Sequence, residues 1–239
     1  MNKKILILGA SSDIGCEVVK VFLKNNWEVV AHFNKNSKKL NKIKKEYGKN
    51  LSLIKIDLKN IYNLKKKLVK NKKIFSKIGS FVSLTGYVKK SSFQKIILKD
   101  LYDHLNVNFI SNIFFINLLL DNMIKNKWGR ILVSSSIGTK FGGGKSTYYY
   151  SLSKFMNEFI PGIFKKDYSK QIIYNALQIG VTNTKFHKKI PSKNLRSRAK
   201  LIPIRRVAKT TEVANKIYFL SSENNTLIHN QLINISGGE

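Results

Sequence analysis

Tyr150 and Lys154 stand four residues apart in the run Tyr148-Tyr149-Tyr150-Ser151-Leu152-Ser153-Lys154. On a helix that spacing puts both side chains on one face, one turn apart. A phenol ordinarily keeps its proton up to about pH 10, too high for acid–base work at neutral pH. An ammonium within a few ångströms favours the phenolate and lowers that pKa. Tyr-x-x-x-Lys is therefore a physically sensible proton-transfer unit. In a chain rich in both residue types the pattern also arises by chance, so the elements around it must carry the argument.

The first of these elements is a short apolar run, Lys3 to Leu8, followed at once by Gly9-Ala10-Ser11-Ser12-Asp13-Ile14-Gly15. Ile14, Val18, Val19, Phe22 and Leu23 then mark an amphipathic helix. Strand, glycine turn, helix is the arrangement that aims backbone N–H groups and a helix N-terminus at a pyrophosphate. Gly9 allows the tight turn and Gly15 a close approach. Ser12 or Asp13 would cap the helix, and a carboxylate at Asp13 would repel phosphates unless it points away.

Trp27 to Phe33 reads as the second strand. Its end, about 20 residues past the glycine turn, is where a dinucleotide-binding unit reads the adenosine ribose. A carboxylate there would accept both ribose hydroxyls and repel a 2′-phosphate. This chain has Asn34-Lys35-Asn36-Ser37 instead, which favours NADP(H) over NAD(H).

Further strands are expected at Leu51–Ile56, Ser80–Leu84 and Arg130–Val133, the last leading into Ser134-Ser135-Ser136. Helices carry Leu40, Ile43 and Tyr47, then Ile61, Leu64 and Leu68, then the stretches 98–124 and 148–168. Pro161 should kink the last of these. Strands alternating with helices at this rhythm predict an α/β fold with a doubly wound parallel sheet in three α/β/α layers. Its ligand would lie outside the carboxyl ends of the strands.

At 239 residues the chain reads most simply as one domain over 1–239. A hydrophobic share of 43% and a charged share of 24% are globular values, which excludes disordered and fibrous classes. The single cysteine, Cys16, rules out an internal disulfide framework and suits the reducing cytoplasm. The four histidines are scattered, so no metal site is expected. No leader is visible, and the most apolar window, Phe109–Leu120, is shorter than the ~20 residues of a membrane span. It reads as a buried helix. The charge is +31, from 44 Lys and Arg against 13 Asp and Glu. Such a surface would attract nucleic acid or another polyanion. Its even spread, together with abundant Asn and Ile, instead favours a compositional origin, so neither a nucleic-acid nor a membrane partner is expected.

In this order the residues resemble the short-chain dehydrogenase/reductase family, with its Rossmann fold, over nearly the whole chain. Gly9, Ser11, Ser12, Asp13, Ile14 and Gly15 look like its cofactor turn, Asp57 and Leu58 like its adenine contact, and Gly86 like the end of its Asn-Asn-Ala-Gly segment. Asn34 and Lys35 fall at the ribose reader. Gly180, Thr182 and Thr184 lie in a stretch similar to its Pro-Gly segment, and Gly237-Gly238 close the chain as its tail does. Asn108, Ser136, Tyr150 and Lys154 resemble its catalytic tetrad. The departures are Asp13 for a glycine, Ser83-Leu84-Thr85 for Asn-Asn-Ala, Ile179 for a proline and Ser236 for an aspartate. Ser136 lies fourteen residues before Tyr150 where thirteen is common. The glycine-rich Phe141–Gly144 loop would take up the extra residue, with Ser135 as the alternative.

The resemblance implies a hydride-transfer enzyme. Ser136 would polarise a carbonyl, Tyr150 would exchange its proton, and Lys154 would hold the nicotinamide ribose and depress the tyrosine pKa. Asn108 would hold a water linking Lys154 to solvent, and Thr184 would contact the nicotinamide carboxamide or phosphate.

A substrate lid would follow the sixth strand, at about 183–206. From Lys185 to Arg206 it carries nine bases and no acid, where the chain-wide share would give roughly four. That excess suggests an anionic small-molecule or carrier-bound carbonyl substrate. The 3-oxoacyl carrier-protein reductases are the nearest familiar activity, and a reductase of a sugar or surface-polysaccharide precursor is the second reading. From another class stands a non-enzymatic dinucleotide-sensing or nucleic-acid-binding protein. The family implies a homodimer or homotetramer.

Overall fold

The computed structural model describes residues 2–168, 170–186 and 194–239. Seven strands form one all-parallel sheet in the order β3-β2-β1-β4-β5-β6-β7. They are β1 (Lys4–Leu8), β2 (Glu28–Phe33), β3 (Leu51–Lys55), β4 (Ser80–Ser83), β5 (Gly129–Ser136), β6 (Ile172–Ile179) and β7 (Leu232–Ile235).

In β1, alternate residues face opposite ways, as a pleat requires. Ile5 and Ile7 pack with Val18, Val19 and Phe22 of α1 (Asp13–Lys24) and with Val213, Ile217 and Leu220 of α10 (Thr210–Ser221). Leu6 and Leu8 pack with Leu64 and Leu68 of α3 (Ile61–Lys70) and with Phe115, Leu119 and Met123 of α6 (Ser111–Lys125). Both faces of the sheet are thus covered, giving the expected three layers. Each such side chain, fully buried, contributes roughly 1.5–3 kcal/mol. Cys16 lies in the first of these clusters, where burial pushes its thiol up to about 11. The strand order reverses between β1 and β4, so the crevice of a doubly wound sheet opens beyond Leu8 and Ser83.

Three expectations change. β5 runs to Ser136 rather than stopping at Val133, because all eight of its residues pair with β6. The stretch expected as one helix over 98–124 is α5 (Leu98–Leu105), a π turn (Asn106–Ile110) and α6. The run Leu98–Lys125 is long and apolar enough to cross a membrane by length and composition alone. Here Phe115, Leu119 and Met123 lie in the core beneath the sheet. Finally, Pro161 does not kink a helix; the helix has already ended. α7 (Tyr148–Phe155) passes into a 3-10 turn (Met156–Glu158), and Pro161 precedes α8 (Gly162–Lys166). The ring disfavours helical geometry at the residue before it and removes an N–H donor, so the chain restarts instead of bending.

Between β1 and β6 the remaining connections are α2 (Lys38–Tyr47), which buries Leu40 and Ile43, and α4 (Lys72–Phe75). After β6 comes α9 (Leu195–Leu201).

Candidate active site at the carboxyl ends of the strands

α7 carries Tyr150 and Lys154 on one face, as the spacing predicted. Lys154 is 2% exposed. Its Nζ donates to the Thr85 carbonyl and to Ser134 Oγ, both at 2.9 Å, which ties α7 to the ends of β4 and β5. Burial lowers its pKa to about 7. Tyr150 behaves differently from expectation: burial pushes its phenol up to about 12, opposed by a hydrogen bond with Ser136. The ammonium is directed at Thr85 and Ser134, and both groups have lost water. Close spacing on a helix face put the pair together, but desolvation outweighs their mutual effect on the phenol.

Ser136 and Ser135 are told apart by the pleat. Ser135 Oγ donates to Glu158 Oε1 at 2.5 Å and is 2% exposed. Ser136, on the opposite face, partners Tyr150 and accepts the Gly138 N–H at 3.2 Å. Ser136 is therefore the residue beside the phenol. The glycine-rich loop that follows turns through two left-handed residues, Gly142 (φ 65°) and Gly143 (φ 84°). It thus accommodates the fourteen-residue interval.

Asn108 lies in the π turn and is fully buried. Its Oδ1 accepts the Tyr87 N–H at 2.7 Å, and its Nδ2 donates to the Tyr87 carbonyl and to Ser153 Oγ, each at 2.9 Å. Its own carbonyl accepts from Asn112 Nδ2 at 3.0 Å and from Asn157 Nδ2 at 2.8 Å. Two side-chain amides thus converge on this carbonyl. Asn108 pins the segment after Gly86 to α7.

The glycine turn forms as expected. Gly9 takes φ 71°, and an added Cβ there would lie 2.8 Å from the Leu84 carbonyl oxygen. At Gly15 a Cβ would meet the Gly9 oxygen at 2.5 Å, so α1 packs directly on the turn. Ser12, not Asp13, caps α1, its Oγ accepting the Gly15 N–H at 3.0 Å. Ser11 and Ile14 are half-buried in the same turn. The Asp13 carboxylate pairs with Lys39 and accepts the Lys185 backbone N–H at 2.7 Å. These partners hold its pKa below the usual carboxylate value although burial acts the other way.

Asn34 is half-buried and Lys35 exposed at the end of β2. Asp57 is exposed past β3, accepting the Lys59 N–H at 3.0 Å, whereas the Leu58 side chain is buried in the core. Gly86 is exposed beyond β4. Gly180 is buried, its N–H donating to the Ile235 carbonyl, and a Cβ there would lie 2.5 Å from Ser236. Thr182 is also buried, with its hydroxyl donating back to the Gly180 carbonyl at 3.0 Å. Thr184 is half-buried in the same segment, its hydroxyl donating to the Thr182 carbonyl at 3.4 Å. Beside it, the Phe186 ring lies 5.6 Å from that of Tyr150.

These residues fit a nicotinamide dinucleotide. The start of α1 offers N–H groups without intrahelical partners, and the one carboxylate there is neutralised by Lys39. The end of β2 has no acid to repel a 2′-phosphate.

Several residues of the site are not singled out by the sequence reasoning. His32 is one: Gly9 N–H donates to its Nδ1 at 3.2 Å, and its Nε2 lies 2.9 Å from the Ile56 carbonyl. Those partners select the neutral Nε2–H tautomer, and burial lowers its pKa to about 4. A polar residue inside the apolar run Val29–Phe33 was the available signal, since buried polar groups have partners. Glu158 is another, accepting from Thr139 Oγ1 at 2.7 Å as well as from Ser135. Asn157 is three residues past Lys154 and shares its face.

The basic lid also changes. Arg198 pairs with Glu239, and Arg206 grips Glu212 through two bonds of 2.8 and 2.7 Å. The segment itself has no acid, but the fold brings two to it. Lys188, Lys189 and Lys193 lie outside the described residues.

The short chain dehydrogenase family model matches residues 3–195. The uncharacterized oxidoreductase YmfI of Bacillus subtilis (strain 168) is 26% identical over 242 residues, covering 100% of this chain and 99% of that protein. The 3-oxoacyl-[acyl-carrier-protein] reductase FabG of Buchnera aphidicola subsp. Baizongia pistaciae (strain Bp) is 26% identical over 239 residues, covering 99% and 97%. Among solved structures, ElxO with NADP bound superposes with a TM-score of 0.84 at 26% identity, covering 100% of this chain and 98% of that one.

Proposed function

Because the chain belongs to the short chain dehydrogenase family, whose members are oxidoreductases using nicotinamide cofactors, we propose that it reduces a ketone with NADPH. The physiological substrate in this reading is a 3-oxoacyl thioester on a carrier, handled in the cytoplasm. The observation that carries the proposal is the cluster at the crevice, in which Ser136 meets Tyr150 and Lys154 is buried one helical turn on.

Bound NADPH supplies the hydride. Ser136 Oγ stands beside the Tyr150 hydroxyl and donates a hydrogen bond to the carbonyl oxygen as it gains charge. A phenol raised to about 12 is fully protonated at neutral pH, which suits a general acid in the reducing direction. Lys154, held by Thr85 and Ser134, would bind the ribose hydroxyls through its remaining N–H. Asn108 keeps α7 and the segment after Gly86 in register through Tyr87 and Ser153.

Preference for NADP(H) is supported by the exposed base Lys35 and by the lack of a carboxylate at Asn34-Lys35. The bound NADP in the similar ElxO structure points the same way. The acyl substrate is supported by the likeness to the FabG relative. The ion pairs of Arg198 and Arg206 leave the anionic handle to the remaining bases. Assembly as a homodimer or homotetramer through α5, α6 and α7 is supported by the apolar side chains of Tyr102, Ile113, Phe155 and Phe159, each at least 50% exposed.

The test follows NADPH absorbance against 3-oxoacyl thioesters, keto-sugars and simple ketones, with NADH in parallel. Turnover of the thioester with NADPH is expected, lost by at least 10³-fold in Tyr150→Phe while NADPH binding persists. Turnover with NADH alone would overturn the cofactor preference. Keto-sugars as the sole substrates would replace the acyl assignment with the sugar-precursor reading.

A further inference from the structure

Asp13 is an acid in the anion-binding turn, where its charge alone would oppose a phosphate. Its two carboxylate oxygens are engaged in different directions. Oδ1 pairs with Lys39 in the first turns of α2, just past the ribose-reading loop. Oδ2 accepts the backbone N–H of Lys185, 172 residues away, at 2.7 Å. The side chain is 19% exposed, so this is a charge-assisted hydrogen bond with partial shelter from water, of the stronger kind. Its donor is main chain, so what it holds is the path of the segment after β6 and not the lysine side chain.

The residue after Lys185 reaches the site. Phe186 has its ring 5.6 Å from that of Tyr150 and its Cε2 3.9 Å from where a Cβ on Gly86 would stand. That ring shields the Tyr150 phenol from water on the side of Gly86. We propose that Asp13 is a positioning residue: by fastening Lys185 to the cofactor turn it sets Phe186 across Tyr150 and Gly86. Lys39 neutralises the carboxylate so that the turn still accepts an anion. One acid thus links three segments that a dinucleotide would touch, namely the glycine turn, the start of α2 and the start of the lid. The benefit to turnover rests on the reductase reading above; the fastening itself does not.

The test therefore uses the full chain without cofactor or substrate, so its outcome is independent of whether NADPH is turned over. Amide hydrogen exchange at Lys185 is measured in wild type, Asp13→Ala, Asp13→Asn and Lys39→Met. Asp13→Ala is expected to speed exchange at Lys185 at least tenfold while leaving Ile7 and Val82 unchanged. Asp13→Asn, which keeps an acceptor, should restore most of the protection, and Lys39→Met should retain it. In the same samples, NMR of ring-labelled tyrosine should show Tyr150 titrating lower in Asp13→Ala than in wild type, because Phe186 no longer shields it.

Unchanged exchange at Lys185 in Asp13→Ala overturns the proposal. Faster exchange with no change at Tyr150 overturns the part that concerns Phe186. Should Asp13→Ala not fold, Asp13→Ser, too short to reach Lys185, carries the same comparison.

Discussion

At the scale of single residues the site holds a lysine kept out of water. Lys154 is buried with two neutral partners, and its pKa of about 7 lies below the ordinary lysine value of 10.5. Between those two pH values the unfolded chain binds a proton that the folded chain has released. Folding is therefore favoured more as pH rises from 7 towards 10.5, and that contribution is lost as pH falls through 7. Comparing wild type with Lys154→Met isolates the effect. Wild type should gain stability relative to the variant by a few kcal/mol between pH 7 and pH 10, measured by urea unfolding. A pH-independent difference would mean that Lys154 titrates normally. The variant should also lose turnover. A buried base paired with no acid is a strain, and under the proposed function it is one that the site keeps for its chemistry.

At the scale of elements, the decisive contact is α1 against its own turn. Gly15 leaves no room for a side chain: the nearest atoms to an added Cβ are backbone at 2.5 to 2.7 Å. Gly15→Ala should cost about 1–3 kcal/mol and weaken NADPH binding, because the N–H groups of the turn shift with α1. Gly162, at the start of α8, has nothing within 4 Å of that position. Gly162→Ala should be neutral or stabilising by about 0.4–1 kcal/mol, since it restricts only the unfolded chain. Thermal unfolding of the two variants, with NADPH titrations, checks both; equal effects would show that the turn is not close-packed. The π turn at Asn106–Ile110 acts at the same scale. Its irregular hydrogen bonding lets the Asn108 carbonyl accept from Asn112 and Asn157, and so locks α6 to the end of α7.

For the whole molecule the dominant quantity is a net charge of +31. Such an excess repels itself in the compact state. The Debye length falls from about 30 Å at 0.01 M salt to about 8 Å at 0.15 M. The melting temperature should therefore rise by several degrees over that range, and differential scanning calorimetry reads it. A melting temperature that falls with salt would mean that attractive ion pairs such as Arg206–Glu212 outweigh the repulsion. If nucleic acid binds, salt should weaken it steeply and Tyr150→Phe should leave it unchanged.

What the sequence determined by itself was local and periodic. Apolar alternation placed β1 and its helix, the glycines placed the turn, and a spacing of four placed Tyr150 with Lys154. These follow from the pitch of a helix, the pleat of a strand and the freedom of glycine, all short-range properties of the chain. Tertiary structure alone decided the partners that lie far apart in sequence. It turned Ser135 towards Glu158 and Ser136 towards Tyr150, gave Lys154 to Thr85 and Ser134, and brought Glu239 to the basic segment. It also joined Asp13 to Lys185. Each of these depends on which strand ends meet at the crevice, and on how much water is excluded when they do. Desolvation is a property of the assembled fold, which is why the spacing located the Tyr150 phenol and only the packing set its pKa.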